Sequence, residues 1–177
     1  LAGAGSTNLA LSGLVYEGLF ELDAAFQPQP LLCASYTASE DCTVWTFTLR
    51  GGVTFSNGAP LTAAHAAASL NAARSSALYA ARLAQVTAVT AGEGTVTVTL
   101  SSPNGALPAL LDIPVTLAGG DGSAAPLGTG PYYYDTGGGA LTLAANPHWW
   151  QGRALPLDEI PLRATSTADD RIAAFDT

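Results

Sequence analysis

The sequence TVWTFTLRGGVTFSNGAPL, residues 43–61, decides how this chain is read. It opens with strict alternation: Trp45, Phe47 and Leu49 point one way, while Val44, Thr46, Thr48 and Arg50 point the other. A period of two is the mark of a half-buried β-strand. Gly51 and Gly52 break that strand, and Val53, Thr54 and Phe55 read as a second short one. Ser56, Asn57 and Gly58 form a turn, since Asn and Gly tolerate positive φ. Pro60, Leu61 and Thr62 then lead into an Ala-rich helix over residues 62–85, with Thr62 as its N-cap. The residue three positions on is His65 rather than Glu or Gln, so the reciprocal capping box is incomplete.

Upstream, residues 32–38 and 43–50 read as the arms of a hairpin turning through Ser39, Glu40, Asp41 and Cys42. This register sets Tyr36 opposite Trp45 and Cys33 opposite Thr48. Cys42 then lies about five extended residues away, on the order of 16 Å. A disulfide needs Cα atoms within about 7 Å, which argues against a bridge between the two cysteines. Before the hairpin, Leu9, Leu11, Leu14, Val15 and Leu19 fit a short helix that Thr7 or Asn8 could cap, with Gly18 at its C-terminal end. Residues 19–23 read as a strand and 24–30 as a loop.

Downstream, Ser75 and Ser76 interrupt the long helix, leaving a second one that carries Leu78, Tyr79, Arg82 and Leu83. Residues 86–91 and 95–100 form a hairpin around Gly92, Glu93 and Gly94. Residues 106–111 read as a short helix, 119–130 as irregular chain, and 132–135 with 140–144 as strands. A turn follows over 146–152, then a strand over 160–164 and a helix over 169–175. The alternation of hairpins and helices places the fold in the α+β, or mixed α/β, class.

Composition narrows the function. The chain has 177 residues, 48% of them hydrophobic and 11% charged, so it can bury a core. Its formal net charge of −8, with no lysine, gives no electrostatic footprint for nucleic acid or an anionic membrane. No apolar run is long enough to span a bilayer. The start at Leu1, inside an apolar pattern, is what a processed or trimmed chain would show.

Catalytic signatures are missing. The sequence holds no GxSxG, HExxH, CxxC or phosphate loop, and neither His65 nor His148 has a second ligand at metal spacing. Asp158 with Glu159 and Asp169 with Asp170 are adjacent carboxylates that read as solvated surface. Arg74 and Arg82 read as surface helix charges, and Trp149 and Trp150 as anchors of their turn. Tyr79, a large amphipathic ring on an Ala-rich helix, is either a rim residue or part of a cleft.

Five blocks in order resemble the extracellular solute-binding proteins of ABC importers, family 5, the peptide and nickel class. The resemblance lies in Val15-Tyr16-Glu17-Gly18-Leu19, in Ser35 and Tyr36 with Ser39-Glu40-Asp41, in the stretch from Thr46 through Gly58 to Ala63, in Gly128-Thr129-Gly130-Pro131-Tyr132, and in Asn146, Pro147, Trp150, Gly152 with Leu157-Asp158-Glu159-Ile160. It implies a type II periplasmic-binding-protein lobe with a mixed sheet, hairpins and packed helices. Residues 1–177 would be part of lobe I of a two-lobed protein. It also implies capture of a small peptide or similar polar solute outside the membrane and delivery to an ABC transporter permease, without catalysis or cofactor, by a monomer. The implied ligand contacts are Ser6, Thr7 and Asn8, expected on a loop, together with Tyr79. The wording around Trp45 is most similar to nickel-binding members, but the arginine they would place near Ile113, Pro114 and Val115 is absent. Metal-chelate binding and a non-transporting interaction domain therefore stand as alternatives.

Overall fold

A computed structural model describes residues 6–117, 125–135, 137 and 141–163, with side chains from Leu11 onward. Helix α1 covers Ser6–Val15 and helix α2 covers Ala63–Ala73. The strands are β1 Phe20–Leu22, β2 Pro28–Pro30, β3 Cys33–Ala38, β4 Val44–Leu49, β5 Val86–Ala91, β6 Thr95–Leu100, β7 Tyr132–Asp135, β8 Thr142–Ala145 and β9 Glu159–Pro161. They form three sheets: β1-β2, β3-β4-β6-β5 and β7-β8-β9. This is the expected mixture of helices and hairpins. The expected mixed sheet is not seen, because every pairing among the described strands is antiparallel.

The four-stranded sheet is built on the alternation of Trp45, Phe47 and Leu49 in β4. Trp45 and Phe47 are buried on one face, joined by Val96, Val98 and Leu100 of β6. Trp45 stacks along Phe47 at 6.1 Å, and Phe20 meets Phe47 edge-on at 5.7 Å. Burying a side chain of this size contributes roughly 1.5–3 kcal/mol, so this face supplies much of the cohesion. Helix α2 closes the core with Ala63, Ala66, Ala67, Leu70 and Ala73, spaced three and four apart. Four alanines on that stripe let the helix axis come close to the sheet.

The register of the first hairpin differs from the expected one. The pairing over Ser35–Ala38 is displaced by two residues, so Tyr36 faces Phe47 and Ala38 faces Trp45, and a bulge between Cys33 and Ser35 then sets Cys33 opposite Leu49. Tyr36 and Trp45 are still in ring contact at 5.9 Å, along the diagonal. Both cysteines are free thiols, Cys33 buried and Cys42 at the turn.

Four other expectations change. Residues 53–55 form a single bridge, Thr54 to Pro60, rather than a strand. Gly58 takes φ +83° in the turn that follows. The capping box is filled after all, because His65 Nδ1 accepts the Thr62 N–H at 3.2 Å in the role usually given to Glu. Residues 74–84 are consecutive turns, not a second regular helix. Residues 28–30, read as loop, pair with β1 as an edge strand, where the missing proline N–H groups cost nothing. The predicted helix over 169–175 and the first half of the irregular stretch 119–130 lie outside the described residues.

Two apolar clusters result. The larger joins the four-stranded sheet, α2, Leu107, Leu111, Ile113 and Val115. The smaller is formed by Val15, Tyr16, Tyr132 and Leu143, between the end of α1 and the three-stranded sheet.

Candidate functional site

The stretch after α1, Tyr16-Glu17-Gly18, runs between these clusters, and three backbones converge on it. The Glu17 carbonyl accepts the Val115 N–H at 2.9 Å, and the Val15 carbonyl accepts the Gly130 N–H at 2.9 Å. Such close approach requires glycine. A Cβ on Gly18 would sit 2.9 Å from the Ile113 nitrogen, and one on Gly128 would overlap the Val15 carbonyl oxygen. Gly18 is therefore a crossing point, not the helix cap expected of it.

Glu17 is 6% exposed, and its carboxylate gathers four donors. Trp150 Nε1 donates to Oε2 at 2.7 Å and Thr129 Oγ1 donates to the same oxygen at 2.8 Å. Gln151 Nε2 and Trp149 Nε1 reach Oε1 at 3.3 and 3.5 Å. Burial pushes this carboxyl above its ordinary range, while the Trp150, Thr129, Trp149 and Gln151 bonds pull it back. The Arg50 guanidinium lies over the Trp150 ring, 5.1 Å from its centre, and donates from Nε to the Leu31 carbonyl at 2.9 Å. Trp149 and Trp150 thus anchor their turn, as expected, and they do so on a buried acid whose importance the sequence did not reveal.

On the other side of this stretch lies a cleft of about 430 Å³. Tyr16 and Gly18 form one wall, and Ser12 and Gly13 of α1 continue it. Leu78, Tyr79 and Arg82 come from the turns after α2, and Asp112 and Pro114 from the segment after the 3₁₀ turn Leu107–Leu110. Arg82 is ion-paired with Asp112, their side chains 27% and 30% exposed. Its guanidinium also lies over Tyr79, 5.9 Å from the ring centre. Burial raises the Tyr79 phenol, opposed by the Arg82 charge, and burial lowers the Arg82 guanidinium, opposed by Tyr79.

Of the expected ligand contacts, Tyr79 lines this cleft. Arg82, read as a surface charge, lines it too and is half-buried. Ser6, Thr7 and Asn8 are not on a loop. They occupy the first turn of α1, the helix whose Ser12 and Gly13 border the cleft, so Thr7 and Asn8 are inside the helix rather than capping it. Sequence reasoning missed Asp112. The pairing of Arg82 with a carboxylate thirty positions later has no periodic signature that could have exposed it. Arg74 does hold surface polar contacts, donating to Asn71 Oδ1 and to the Thr87 carbonyl, both at 3.0 Å. Among the described residues no group of three or more His, Cys, Asp or Glu could hold a metal.

Such a cleft, walled by two tyrosines and an ion pair on an α/β frame, has the mixed apolar and polar lining common in small-molecule sites. The family model for bacterial extracellular solute-binding proteins, family 5 Middle, matches residues 27–177. The chain belongs to this family of extracellular solute-binding proteins. It is 30% identical over 183 aligned residues to the glutathione-binding protein GsiB of Escherichia coli (strain K12), covering 95% of this chain and 36% of that protein. The structure of NikA from Brucella suis in complex with Fe(III)-EDTA superposes with a TM-score of 0.77 at 26% identity, covering 94% of this chain and 36% of that one. MoaA from A. tumefaciens R10, in complex with mannopinic acid, superposes at 0.80 with 25% identity, covering 98% and 39%. The fold is thus that of the type II periplasmic binding proteins, and the chain spans just over a third of the length of the relatives it matches.

Proposed function

We infer that this chain supplies lobe I of the solute-binding component of an ABC importer, which captures a small peptide or similar polar solute outside the cytoplasmic membrane and presents it to the membrane permease. The observation that carries this reading is the cleft itself, since about 430 Å³ falls within the ~300–1,000 Å³ usual for small-ligand sites. Its lining supports it further. Tyr79 and Tyr16 offer apolar faces with polar tips, and Arg82 and Asp112 offer one charge of each sign. Tyr79, Ser12 and Arg82 hold the solute, with Ser6, Thr7 and Asn8, on the first turn of the same helix as Ser12, as further contacts. Asn8 precedes Ser12 by four positions, the spacing of one helical stripe. The protein binds and releases rather than catalyses, acts outside the cytoplasm, and works as a monomer with no nucleic-acid partner.

A second reading is favoured by Arg82. With no ligand group for a bare metal among the described residues, a metal would enter already wrapped in a carboxylate chelator, held through that chelator by the guanidinium. The similarity to NikA in complex with Fe(III)-EDTA points the same way. Isothermal calorimetry of the intact protein against glutathione, linear di- and tripeptides and Fe(III)- and Ni(II)-chelates tests both readings. Micromolar or tighter binding of a peptide, lost in Tyr79→Ala, is the expected result. Binding of chelates alone would favour the second reading, and binding of none would overturn both.

A further inference from the structure

The α1 wall of the cleft carries a narrower statement about the ligand, which rests on the reading of the cleft as the solute site. Gly13 borders the cleft from inside helix α1, whose last residue is Val15. The helical bonding runs on past it, since the Tyr16 N–H donates to the Ser12 carbonyl at 2.8 Å. Glycine at such a position weakens a helix relative to alanine, because it loses the most backbone freedom on folding. Three structural reasons could justify that loss, and Gly13 has none of them. Its φ is helical, whereas Gly52, Gly58, Gly94 and Gly152 turn through positive φ. It is not crowded, because a Cβ there would meet nothing within 4 Å, whereas one on Gly18 or Gly128 would run into backbone. Nor does it cap the helix, which continues through Val15.

What remains is the cleft. Tyr16 follows Gly13 and Ser12 at the i+3 and i+4 spacings of one helix face, and all three line the cleft. A side chain on Gly13 would therefore stand on the face that walls the cleft, in space that no other group fills. The turns after α2 add Leu78 to the same cleft, a large apolar side chain left 38% exposed, and Pro114 adds further apolar surface. An apolar group lying over Leu78 would remove it from water. We propose that Gly13 is a specificity-determining residue. Its missing side chain leaves a notch in the α1 wall, and the notch receives a bulky apolar side chain of the solute, the size of leucine or phenylalanine, which covers Leu78. The helix forgoes stability so that the cleft keeps this width.

Calorimetry of the intact protein against Ala-Ala, Leu-Leu, Phe-Phe, glutathione and Fe(III)-EDTA, with thermal denaturation of the same samples, tests this. The parent is expected to bind Leu-Leu or Phe-Phe at least about tenfold more tightly than Ala-Ala, since even one methylene in an apolar pocket changes selection by about that factor. Gly13→Ala should raise the melting temperature by about 2–4 °C. The same variant should weaken Leu-Leu and Phe-Phe by about tenfold, roughly 1.4 kcal/mol. A glycine with a purely structural role would not move stability and affinity in opposite directions. Gly13→Leu fills the notch and should abolish binding of Leu-Leu and Phe-Phe while leaving Ala-Ala nearly unchanged, with circular dichroism confirming the fold. A lower melting temperature in Gly13→Ala overturns the proposal, because the glycine would then serve the helix. Unchanged affinity of Gly13→Leu for Phe-Phe overturns it too, as does equal affinity of the parent for Ala-Ala, Leu-Leu and Phe-Phe. If the parent binds only glutathione or Fe(III)-EDTA, the solute-binding reading stands while this one falls, and if it binds none of the five, both fall.

Discussion

At the scale of single residues, Glu17 is the most consequential side chain in the molecule. Its two oxygens accept from Thr129, Trp149, Trp150 and Gln151, four donors that share this one carboxylate. Glu17→Ala would orphan two indole N–H groups and a hydroxyl in a buried place. We expect a loss of about 2–4 kcal/mol in chemical denaturation at pH 7. Glu17→Gln should cost less, because its carbonyl can keep Trp150 and Thr129 while its amide turns toward the longer, weaker contacts. The two variants also differ from the parent in pH dependence. Burial raises the Glu17 carboxyl, so between the ordinary carboxylate value and the raised one the folded protein holds more protons than the unfolded chain. Stability from this group is complete below the ordinary value and falls as pH rises through the raised one. Denaturation midpoints of Glu17→Gln measured across that window should lack this falling component. An unchanged slope would show that the acid is not desolvated as described.

The same residue marks the limit of what the sequence discloses. Glu17 sits inside a motif that points to the family, yet nothing in its neighbours Tyr16 and Gly18 tells that Thr129, Trp149, Trp150 and Gln151 will close over it. Tyr79 could be singled out because a large ring is conspicuous among alanines. Arg82 could not, since its partner Asp112 is distant in sequence and on a different kind of element. Local pattern finds residues whose role is set by their neighbours in the chain, and it misses those whose role is set by a fold-level meeting.

At the scale of elements, hairpins and the Ala-rich helix were legible because their periods of 2 and 3.6 are written in Trp45, Phe47, Val96 and Val98 on one side and Ala63, Ala66, Ala67 and Leu70 on the other. The hairpin register was not, since a displacement of two residues keeps every side chain of β3 and β4 on its own face and so leaves the alternation unchanged. Residues 74–84 likewise keep a helical pattern of side chains without a regular helix. Glycine decides how α1 joins the rest. Gly128→Ala forces a methyl against the Val15 carbonyl, a rigid backbone atom that has no rotamer to escape into. We expect a loss of about 2 kcal/mol or more, or failure to fold, whereas Gly105→Ala, where nothing lies within 4 Å, should be within about 0.5 kcal/mol of the parent in the same melting experiment.

At the scale of the whole molecule, the two apolar clusters differ greatly in size. Opening free energy follows buried contact, so native-state hydrogen exchange should be slowest at β4 and β6, the inner strands of the four-stranded sheet. Amides of β8, backed by the smaller cluster, should exchange measurably faster. Equal protection would mean that both clusters open only in one global event. The cleft lies where α1, the turns after α2 and the segment before Val115 meet, and Tyr16 belongs to both the smaller cluster and the cleft wall.

The donors that complete Glu17 come from 112 to 134 residues further along the chain. A ribosome adding about 5–20 residues each second therefore releases the acid several seconds before the last of its partners. Until then the carboxylate keeps its water, and the wall formed by Tyr16 and Gly18 is held by its backbone bonds to Leu32 and Val115 without the Glu17 anchor. The sheet and α2 can assemble from local hairpins in that interval, whereas the cleft waits for a contact of very long range. The wall of the cleft is thus completed later than the bulk of the secondary structure.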